Sequence, residues 1–341
     1  MKTVADLLDS LNIITDGRMA PSVEAARDGS YEFVILKSSG IYGKSVLEIP
    51  SLIHGDPTKE IKKIAVCMTL TEQSVELAGA TGVDAIVAHH PVADAASCGG
   101  VTLRDYLDLY GIAVLECHEA FHGLHPGIAH LHGHSILKSS IAYGGLHGNV
   151  MYVGTPLEEV RSMRDILTRL DSFMGLEVEM DMLEAERRLK GSNNIQEGSL
   201  VTRGRVLLGD ADSPIHKLVH IFPHTGFTPD HLRAALKEDP DINTVLASIS
   251  RVYEGHALVE AAKDLGLQLM VGNSHVLEIM ENGMPLARAL QRLLEGVDVQ
   301  IFRERVTSTP IDVFGNPRMQ EYARRFSEAH LLGKNALTFA G

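Results

Sequence analysis

The stretch Ala85-Ile86-Val87-Ala88-His89-His90-Pro91 decides how the rest of the chain is interpreted. Its four apolar residues predict a buried strand, and Pro91 forces a turn because proline cannot continue a strand's hydrogen-bond ladder. The two histidines therefore lie at the carboxyl end of a strand, where open α/β sheets bind their ligands. Adjacent strand residues face opposite ways, so both imidazoles reach one ion only where the backbone twists. The alternative is one ion for each histidine, which indicates two metal ions.

A regular alternation of strands and helices surrounds this stretch. Strands are predicted at 64–68, 85–88 and 112–115. The capping-box spacing Thr69-Leu70-Thr71-Glu72 predicts the start of a helix that Gly79 and Gly82 end, and a second helix is predicted at about 101–110. Such βαβ units form parallel strands with the crossover helices on the faces of the sheet. The strand at 112–115 runs into Glu116, Cys117 and His118, so a second strand of the same sheet ends in histidine.

The second half shows a similar alternation. Strands are predicted at 219–222, 244–247, 267–271 and 297–302, with helices from 228 and at 255–265, 285–294 and 318–331. The strand at 267–271 is followed by Gly272-Asn273-Ser274-His275, and Glu278 comes three residues after His275. At that spacing the two side chains share one face of a helix and can chelate one ion.

The length of 341 residues favours two domains, since a single core of that size is uncommon. We predict an α/β fold of two facing lobes, with mixed or parallel sheets, helices on their faces and the metal site in the cleft between them. The predicted divisions are a first lobe at 1–150, a connector with an insertion at 151–214, and a second lobe at 215–341. Within these ranges, some helix is expected around Ile136, and the capping signal Thr155-Pro156-Leu157-Glu158 predicts a helix to about Met174.

Composition limits the function. Lysine and arginine number 31 against 44 aspartates and glutamates, a net charge of −13, which argues against nucleic acid and attracts cations. Three cysteines are too few for a disulfide framework and fit a reducing compartment. Acidic residues interrupt the apolar N-terminal stretch, and no apolar run later is long enough to span a membrane. The expected location is therefore the cytoplasm.

Histidines are numerous and unevenly distributed. The chain has 17, and nine of them lie between Ile86 and Val150: His89, His90, His118, His122, His125, His130, His132, His134 and His147. Histidine is the commonest metal ligand, so this clustering favours a metal site over isolated capping or surface histidines.

Two segments resemble signatures of a known family. Lys62-Lys63-Ile64-Ala65-Val66-Cys67, the Thr69-Leu70-Thr71 turn and Asp84 through Val92 are similar to the first signature of the NIF-three-like dinuclear metal-binding proteins, often labelled GTP cyclohydrolase I type 2-like. The segment from Tyr253 to Ala262, continued through His275 and Glu278, resembles the second signature. The resemblance covers most of 61–155 and 215–305. It implies a paired-metal site built from both halves and a homo-oligomer, typically a ring-shaped hexamer.

The resemblance also implies a ligand set. His89 and His90 match the paired first-half ligands, and His118 matches a nearby histidine. His122 stands where the family usually carries an aspartate, and this exchange replaces a bridging carboxylate by a neutral imidazole. The family's last histidine and glutamate are four residues apart, whereas His275 and Glu278 are three apart, and a gapless alignment puts Ser274 on that histidine.

Other interpretations of these histidines remain open. His118-Glu119-Ala120-Phe121-His122 matches the zinc-protease pattern H-E-x-x-H, but that chemistry needs one continuous helix, which Gly123 and Pro126 disfavour here. The run 127–134 is either a third cation site or, as we expect, a solvated loop. His224 follows a strand and either faces the same cavity or caps the helix that begins at 228.

We therefore predict a metal-binding protein with one or two divalent ions: zinc, iron, manganese or nickel. The predicted ligands are His89, His90, His118, His122, His275 and Glu278, and the predicted catalytic carboxylates are Glu278 and Glu119. The expected activity is hydrolysis of a heterocyclic or nucleotide-like small molecule, with the ion activating water and a carboxylate assisting proton transfer. The competing class is a non-catalytic metal-binding or regulatory protein.

Overall fold

The computed structural model describes residues 1–26, 30–38, 45–92, 103–124, 126–141, 149–222, 227–249 and 252–332. The fold is mixed α/β, as predicted, and its two large sheets have five and six strands within the described residues. None of the helices in these ranges combines the length and the apolar character needed to cross a lipid bilayer.

The strands of the described residues follow in chain order. They are β1 (Lys2–Thr3), β2 (Ile35–Ser38), β3 (Ser45–Glu48), β4 (Leu52–His54), β5 (Glu60–Ile61), β6 (Lys63–Cys67), β7 (Ala85–Ala88), β8 (Ala113–Glu116), β9 (His134–Ile141), β10 (Val150–Pro156), β11 (Gln196–Glu197), β12 (Arg205–Leu208), β13 (Lys217–Phe222), β14 (Ile242–Ala247), β15 (Gln268–Val271), β16 (Asp298–Phe302) and β17 (Thr307–Ser308).

The helices of the same ranges lie between these strands. They are α1 (Val4–Ile14), α2 (Val23–Ala26), α3 (Glu72–Thr81), α4 (Leu103–Tyr110), α5 (Gly127–Leu131), α6 (Met163–Phe173), α7 (Leu176–Lys190), α8 (Gly198–Val201), α9 (Pro229–Glu238), α10 (Ala257–Asp264), α11 (Met284–Leu293) and α12 (Pro317–Phe326). Short 3-10 turns occur at His275–Leu277 and Ile311–Val313, and π-helical turns at Ile279–Gly283 and Ser327–Leu331.

The first sheet has the order β16-β6-β7-β8-β4. Its first four strands are parallel, and β4 runs antiparallel to β8 at the edge. All four residues of β7 are fully buried, because apolar side chains pack on both faces of a central parallel strand. One face packs against α1 and α11, and the other packs against α3 and α4.

The crossover helix α3 ends at Gly82 as predicted, but its N-cap is Thr71, two residues after the Thr69 of the predicted capping box. The Thr71 side chain accepts a hydrogen bond from the Ser74 backbone N–H, and the Ser74 hydroxyl caps the Thr71 N–H in return. Gly82 then ends the helix with φ of 69°, a left-handed conformation that favours glycine. The helix returns the chain to the start of β7, which places His89 at the far end of that strand.

The second sheet has the order β12-β15-β14-β13-β10-β9. Its central strands β13, β14 and β15 are parallel, and the flanking strands are antiparallel to their neighbours. An apolar core including Val219, Val245 and Leu269 lies between one face of this sheet and the helices α9 and α10. The carboxyl end of β15 leads directly to the turn that carries His275 and Glu278.

The predicted helix around Ile136 is wrong, and the helix predicted from Thr155 to about Met174 begins later than predicted. Residues around Ile136 form β9, and Thr155 and Pro156 belong to β10, paired with Ser135 and His134. The local capping signal at Thr155 is overridden because these residues complete a strand pair. The next helix instead begins at Met163, where the Ser162 hydroxyl accepts a hydrogen bond from the Asp165 N–H.

Strand membership differs from the predicted ranges 1–150, 151–214 and 215–341. The strand β16 joins the first sheet, with Val299 opposite Ile64, while β9, β10 and β12 join the second. The apolar pattern of a strand indicates which of its side chains face the core, but not which strand it pairs with. These pairings are therefore decided by the tertiary structure. Residues Met1–Met174 and Arg203–Glu304, which include both large sheets, form one compact unit.

A smaller unit comprises Gly175–Thr202 and Arg305–Gly341. Within its described residues, β11 pairs antiparallel with β17, and the Gly198 N–H donates to the Val306 carbonyl at 2.9 Å. Arg305 forms an ion pair with Glu186 of α7 at 3.0 Å. The charged residues of this unit after 176 form α7, and Gly191 ends it.

Candidate metal site

His89 and His90 continue the hydrogen-bond ladder of β7 by two residues. Their backbone N–H groups donate to the carbonyls of Cys67 and Met68 at 3.0 and 2.7 Å. Both imidazoles face one carboxylate: His89 Nε2 lies 3.1 Å from Glu278 Oε1, and His90 Nε2 lies 2.9 Å from Glu278 Oε2. The paired histidines therefore reach different oxygens of the same side chain.

The end of β8 supplies two more imidazoles. His118 and His122 lie in a run of turns, with hydrogen bonds from Phe121 N–H to His118 O at 2.8 Å and from His122 N–H to Glu119 O at 3.2 Å. The ring of His118 lies 4.8 Å from that of His89 and 4.7 Å from that of His122. Because this segment is not the continuous helix that H-E-x-x-H chemistry needs, the protease interpretation fails.

The second sheet contributes Glu278. This residue lies between a 3-10 turn and a π-helical turn, and its side chain is 1% exposed. His275 Nδ1 lies 3.2 Å from Glu278 Oε2, and Asn282 Nδ2 donates to Glu278 Oε1 at 3.1 Å. The predicted proximity of His275 and Glu278 to the first-half histidines is therefore present in the structure, across 189 residues of sequence in the case of His89 and Glu278.

The side chains form two groups that share Glu278. Ligand atoms within 4.8 Å of one another are offered by His89, His118, His122 and Glu278 in one group and by His90, His275 and Glu278 in the other. The first group is largely buried, whereas the His275 side chain is 42% exposed. The structure thus brings together all seven predicted site residues, with Glu119 behind His122.

The hydrogen bonds of His89 show that a cation fits the first group. The Cys117 carbonyl can only accept, so His89 Nδ1 carries the proton at 3.0 Å. Burial lowers the pKa of His89 despite the opposing effect of Glu278, which leaves Nε2 as a lone pair. A lone pair that faces a carboxylate oxygen at 3.1 Å is unfavourable unless a cation lies between them.

The hydrogen bonds of His122 also indicate that a cation fits the first group. Its Nδ1 donates to Glu119 Oε2 at 2.8 Å, and its buried Nε2 has no hydrogen-bond partner among the described residues. Buried polar atoms are rarely left unsatisfied, so this nitrogen is suited to bind an ion. The residues present therefore fit one or two divalent cations.

Glu278 and Glu281 lie in the same segment but differ in charge. Burial alone would raise the pKa of Glu278, but the charge of His90 and the close contacts with the imidazoles of His275, His89 and His90 hold it well below its ordinary value. Burial raises the pKa of Glu281 well above its ordinary value, and the charge of Glu278 adds to that effect. Glu278 is therefore an anion that can bind a cation, and Glu281 is a neutral acid that donates or accepts hydrogen bonds.

Sequence reasoning missed Glu48 and Asn282. Glu48 ends β3 and is fully buried, with Oε2 at 3.1 Å from His118 Nδ1 and Oε1 accepting from the Glu119 N–H at 2.8 Å. Neither residue has a local signal beyond its polarity in an apolar context. Both are brought to the site by turns that no periodicity predicts.

The other histidines of the described residues lie outside the two ligand groups. His132 and His134 are buried, not part of a solvated loop as expected, and form a separate cluster with His220. In that cluster His134 Nε2 lies 2.9 Å from His220 Nδ1, and the Ser248 hydroxyl lies 2.7 Å from His220 Nε2. His125, His147 and His224 lie outside the described residues.

Comparison with known proteins gives a family match and structural matches. The family model Duf34/NIF3 (NGG1p interacting factor 3) matches residues 49–95. No curated protein matches the chain in sequence.

Solved structures match nearly the whole chain. A Bacillus cereus protein related to NIF3 has a TM-score of 0.53 at 11% identity, covering 91% of this chain and 98% of its own. Staphylococcus aureus protein SA1388 has a TM-score of 0.51 at 13% identity, covering 92% and 99%. At these identities the structures show a shared fold. The chain is thus similar to the NIF3 family over residues 49–95 and shares its fold with solved structures that include a protein related to NIF3.

Proposed function

We propose that the chain binds two divalent ions, one in each of the two groups that share Glu278. The observation that supports this most strongly is the position of the carboxylate, whose Oε1 faces His89 and whose Oε2 faces His90 and His275. A carboxylate with one oxygen toward each ligand group is suited to bridge two cations and to neutralise part of their charge.

We further propose that the chain is a metal-dependent hydrolase of the cyclohydrolase-like class, acting on a heterocyclic or nucleotide-like small molecule. Ions held by these residues would supply Lewis-acid activation of water. The side chains of His90 and His275 are 18% and 42% exposed, so a substrate can reach this group, whereas His89 and Glu278 are sealed from solvent. This difference in exposure favours an enzyme over a purely structural metal site.

The carboxylates have separate roles in this proposal. Glu278 orients the ligand groups and can accept a proton at Oε2, the oxygen that faces the partly exposed His90 and His275. Glu119 contacts His122 through Oε2 and is buried, so its assignment changes from proton transfer to positioning. The Thr69 hydroxyl lies 2.8 Å from His90 Nδ1 and fixes the orientation of that ring.

The test begins with the number of ions. Elemental analysis and anomalous scattering on the purified protein should give two ions per chain, one near His89 and one near His90. The loaded protein is then assayed against GTP and a panel of cyclic amides and phosphoesters, with His89→Ala as the inactive control. Ions without turnover of any panel member would favour the non-catalytic metal-binding alternative. Absence of bound metal would refute the proposal as a whole. We also propose that the chain forms a homo-oligomer and acts in the cytoplasm.

A further inference from the structure

Two buried carboxylates lie behind two of the imidazoles in the first ligand group. Glu48 Oε2 is 3.1 Å from His118 Nδ1, and Glu119 Oε2 is 2.8 Å from His122 Nδ1. Glu48 is fully buried and Glu119 is 3% exposed. The two pairs are linked, since the backbone N–H of Glu119 donates to Glu48 Oε1 at 2.8 Å.

These contacts fix the tautomer of both rings. An ionised carboxylate can only accept, so each Nδ1 carries the proton and each Nε2 is the nitrogen that can bind an ion. A carboxylate behind an imidazole also increases the basicity of the ring and holds its orientation. The carboxylates of Glu48 and Glu119 therefore strengthen the imidazole ligands of the first group, in addition to the direct negative charge of Glu278.

Glu48, His118 and Glu119 also form a group whose ligand atoms lie within 4.8 Å of one another. Their contacts favour positioning over a third ion. One oxygen of Glu48 accepts a backbone N–H, and the other is at hydrogen-bond distance from an imidazole nitrogen. An ion at this place would have to displace both hydrogen bonds.

The first group consequently offers three imidazole nitrogens and one carboxylate oxygen. Imidazole suits zinc, copper, iron and nickel, whereas magnesium, calcium and manganese prefer oxygen ligands. We propose that Glu48 and Glu119 are positioning residues that, through His118 and His122, make the first ligand group selective for nitrogen-preferring divalent cations over Mn²⁺ and Mg²⁺. This inference rests on the proposed function, because it concerns the same site.

The experiment uses the full chain, freed of metal and titrated with Zn²⁺ and Mn²⁺ in competition. Glu119→Gln and Glu48→Gln should each weaken Zn²⁺ binding by about 10- to 100-fold, the range seen when such supporting carboxylates are removed. His122→Asp should shift the ratio of Zn²⁺ to Mn²⁺ affinity toward Mn²⁺ by about tenfold or more, because an oxygen replaces a nitrogen ligand.

Two further measurements separate positioning from a general loss of structure. The visible spectrum of the Co²⁺-loaded protein should change in Glu119→Gln and Glu48→Gln, since it reports the imidazole ligands. Glu281→Gln is the matched control, a buried glutamate of the neighbouring turn that contacts Asn273 and no ligand imidazole among the described residues. It should leave the spectrum and the affinity ratio unchanged.

The inference is overturned if His122→Asp leaves the Zn²⁺ to Mn²⁺ ratio unchanged, or if both glutamine variants keep wild-type Zn²⁺ affinity. A third bound ion that only Glu48→Gln removes would overturn the positioning role of Glu48. If the wild-type chain binds no divalent ion, the proposed function fails together with this inference, and that result differs from a chain that binds metal without the expected selectivity.

Discussion

Replacing Glu278 by glutamine should abolish tight metal binding while preserving the fold. The substitution keeps the size of the side chain and the contact with Asn282, but it removes the negative charge that faces His89, His90 and His275. Because Glu278 belongs to both ligand groups, both ion positions should weaken together.

The size of the effect follows from the short distances in the site. With an effective dielectric constant near 20, two unit charges about 4 Å apart interact by about 4 kcal/mol. Since about 1.4 kcal/mol corresponds to a factor of ten, loss of this carboxylate charge should weaken binding roughly a thousandfold. At a metal concentration about 100 times the wild-type Kd, metal stabilises the folded chain by about 2.7 kcal/mol. At the same metal concentration, metal should stabilise the folded Glu278→Gln variant by less than about 0.1 kcal/mol.

Thermal unfolding with and without metal measures this difference. The wild-type chain should gain about 5 °C in Tm from metal, by the scaling of stability with Tm for large domains. Glu278→Gln should gain less than about 1 °C. Glu281→Gln is the control, because burial keeps Glu281 neutral and its replacement by an amide changes no charge.

The reasoning is refuted if Glu278→Gln retains the wild-type metal-induced shift. It is also refuted if Glu281→Gln loses the shift to the same extent, since the effect would then come from disturbance of the π-helical turn and not from the charge of Glu278.

Three other outcomes are expected. His89→Ala and His90→Ala should each lower bound metal strongly in elemental analysis while circular dichroism stays unchanged, because β7 is buried by its own apolar residues; full occupancy in both would contradict the ligand assignment. Lowering the pH from 7 to 5 should destabilise the metal-free chain in urea unfolding. Burial lowers the pKa of His132 to about 4 and that of His134 to about 3. Below about pH 6.5 these histidines therefore bind protons in the unfolded chain but not in the folded chain. By pH 5 each of them should lower the free energy of unfolding by about 2 kcal/mol. Equal stability at both pH values would show that these histidines are not buried as neutral groups. Thr71→Ala should cost about 1 kcal/mol in the same assay by removing the N-cap of α3, and no loss would contradict the capping role.

Local sequence predicted the strands and helices whose signals are complete in a few residues. The strand Ala85–Ala88 is predicted with its observed limits, because a run of only four apolar residues between turn signals is too short for a buried helix. The helix that begins at Pro229 follows Thr228 as predicted, since the cap and the proline act within one turn. The failure at Thr155 shows the limit of such signals, because strand pairing with β9 outweighs a local cap.

The sequence also indicated the chemistry of the site. The strands that end at His89 and His118 are parallel neighbours of one sheet, so the closeness of these two histidines was predictable from the sequence. His275 and Glu278 follow β15 of the second sheet, and their meeting with these histidines was predicted from their place after a strand end and from the family resemblance. The tertiary structure alone decided how they meet. It placed Glu278 between two groups of imidazoles. It also placed the carboxylate of Glu48 next to His118 Nδ1 and that of Glu119 next to His122 Nδ1. These contacts depend on turns and on side-chain orientation, which hydrogen bonding between distant segments determines and which no pattern of neighbouring residues encodes.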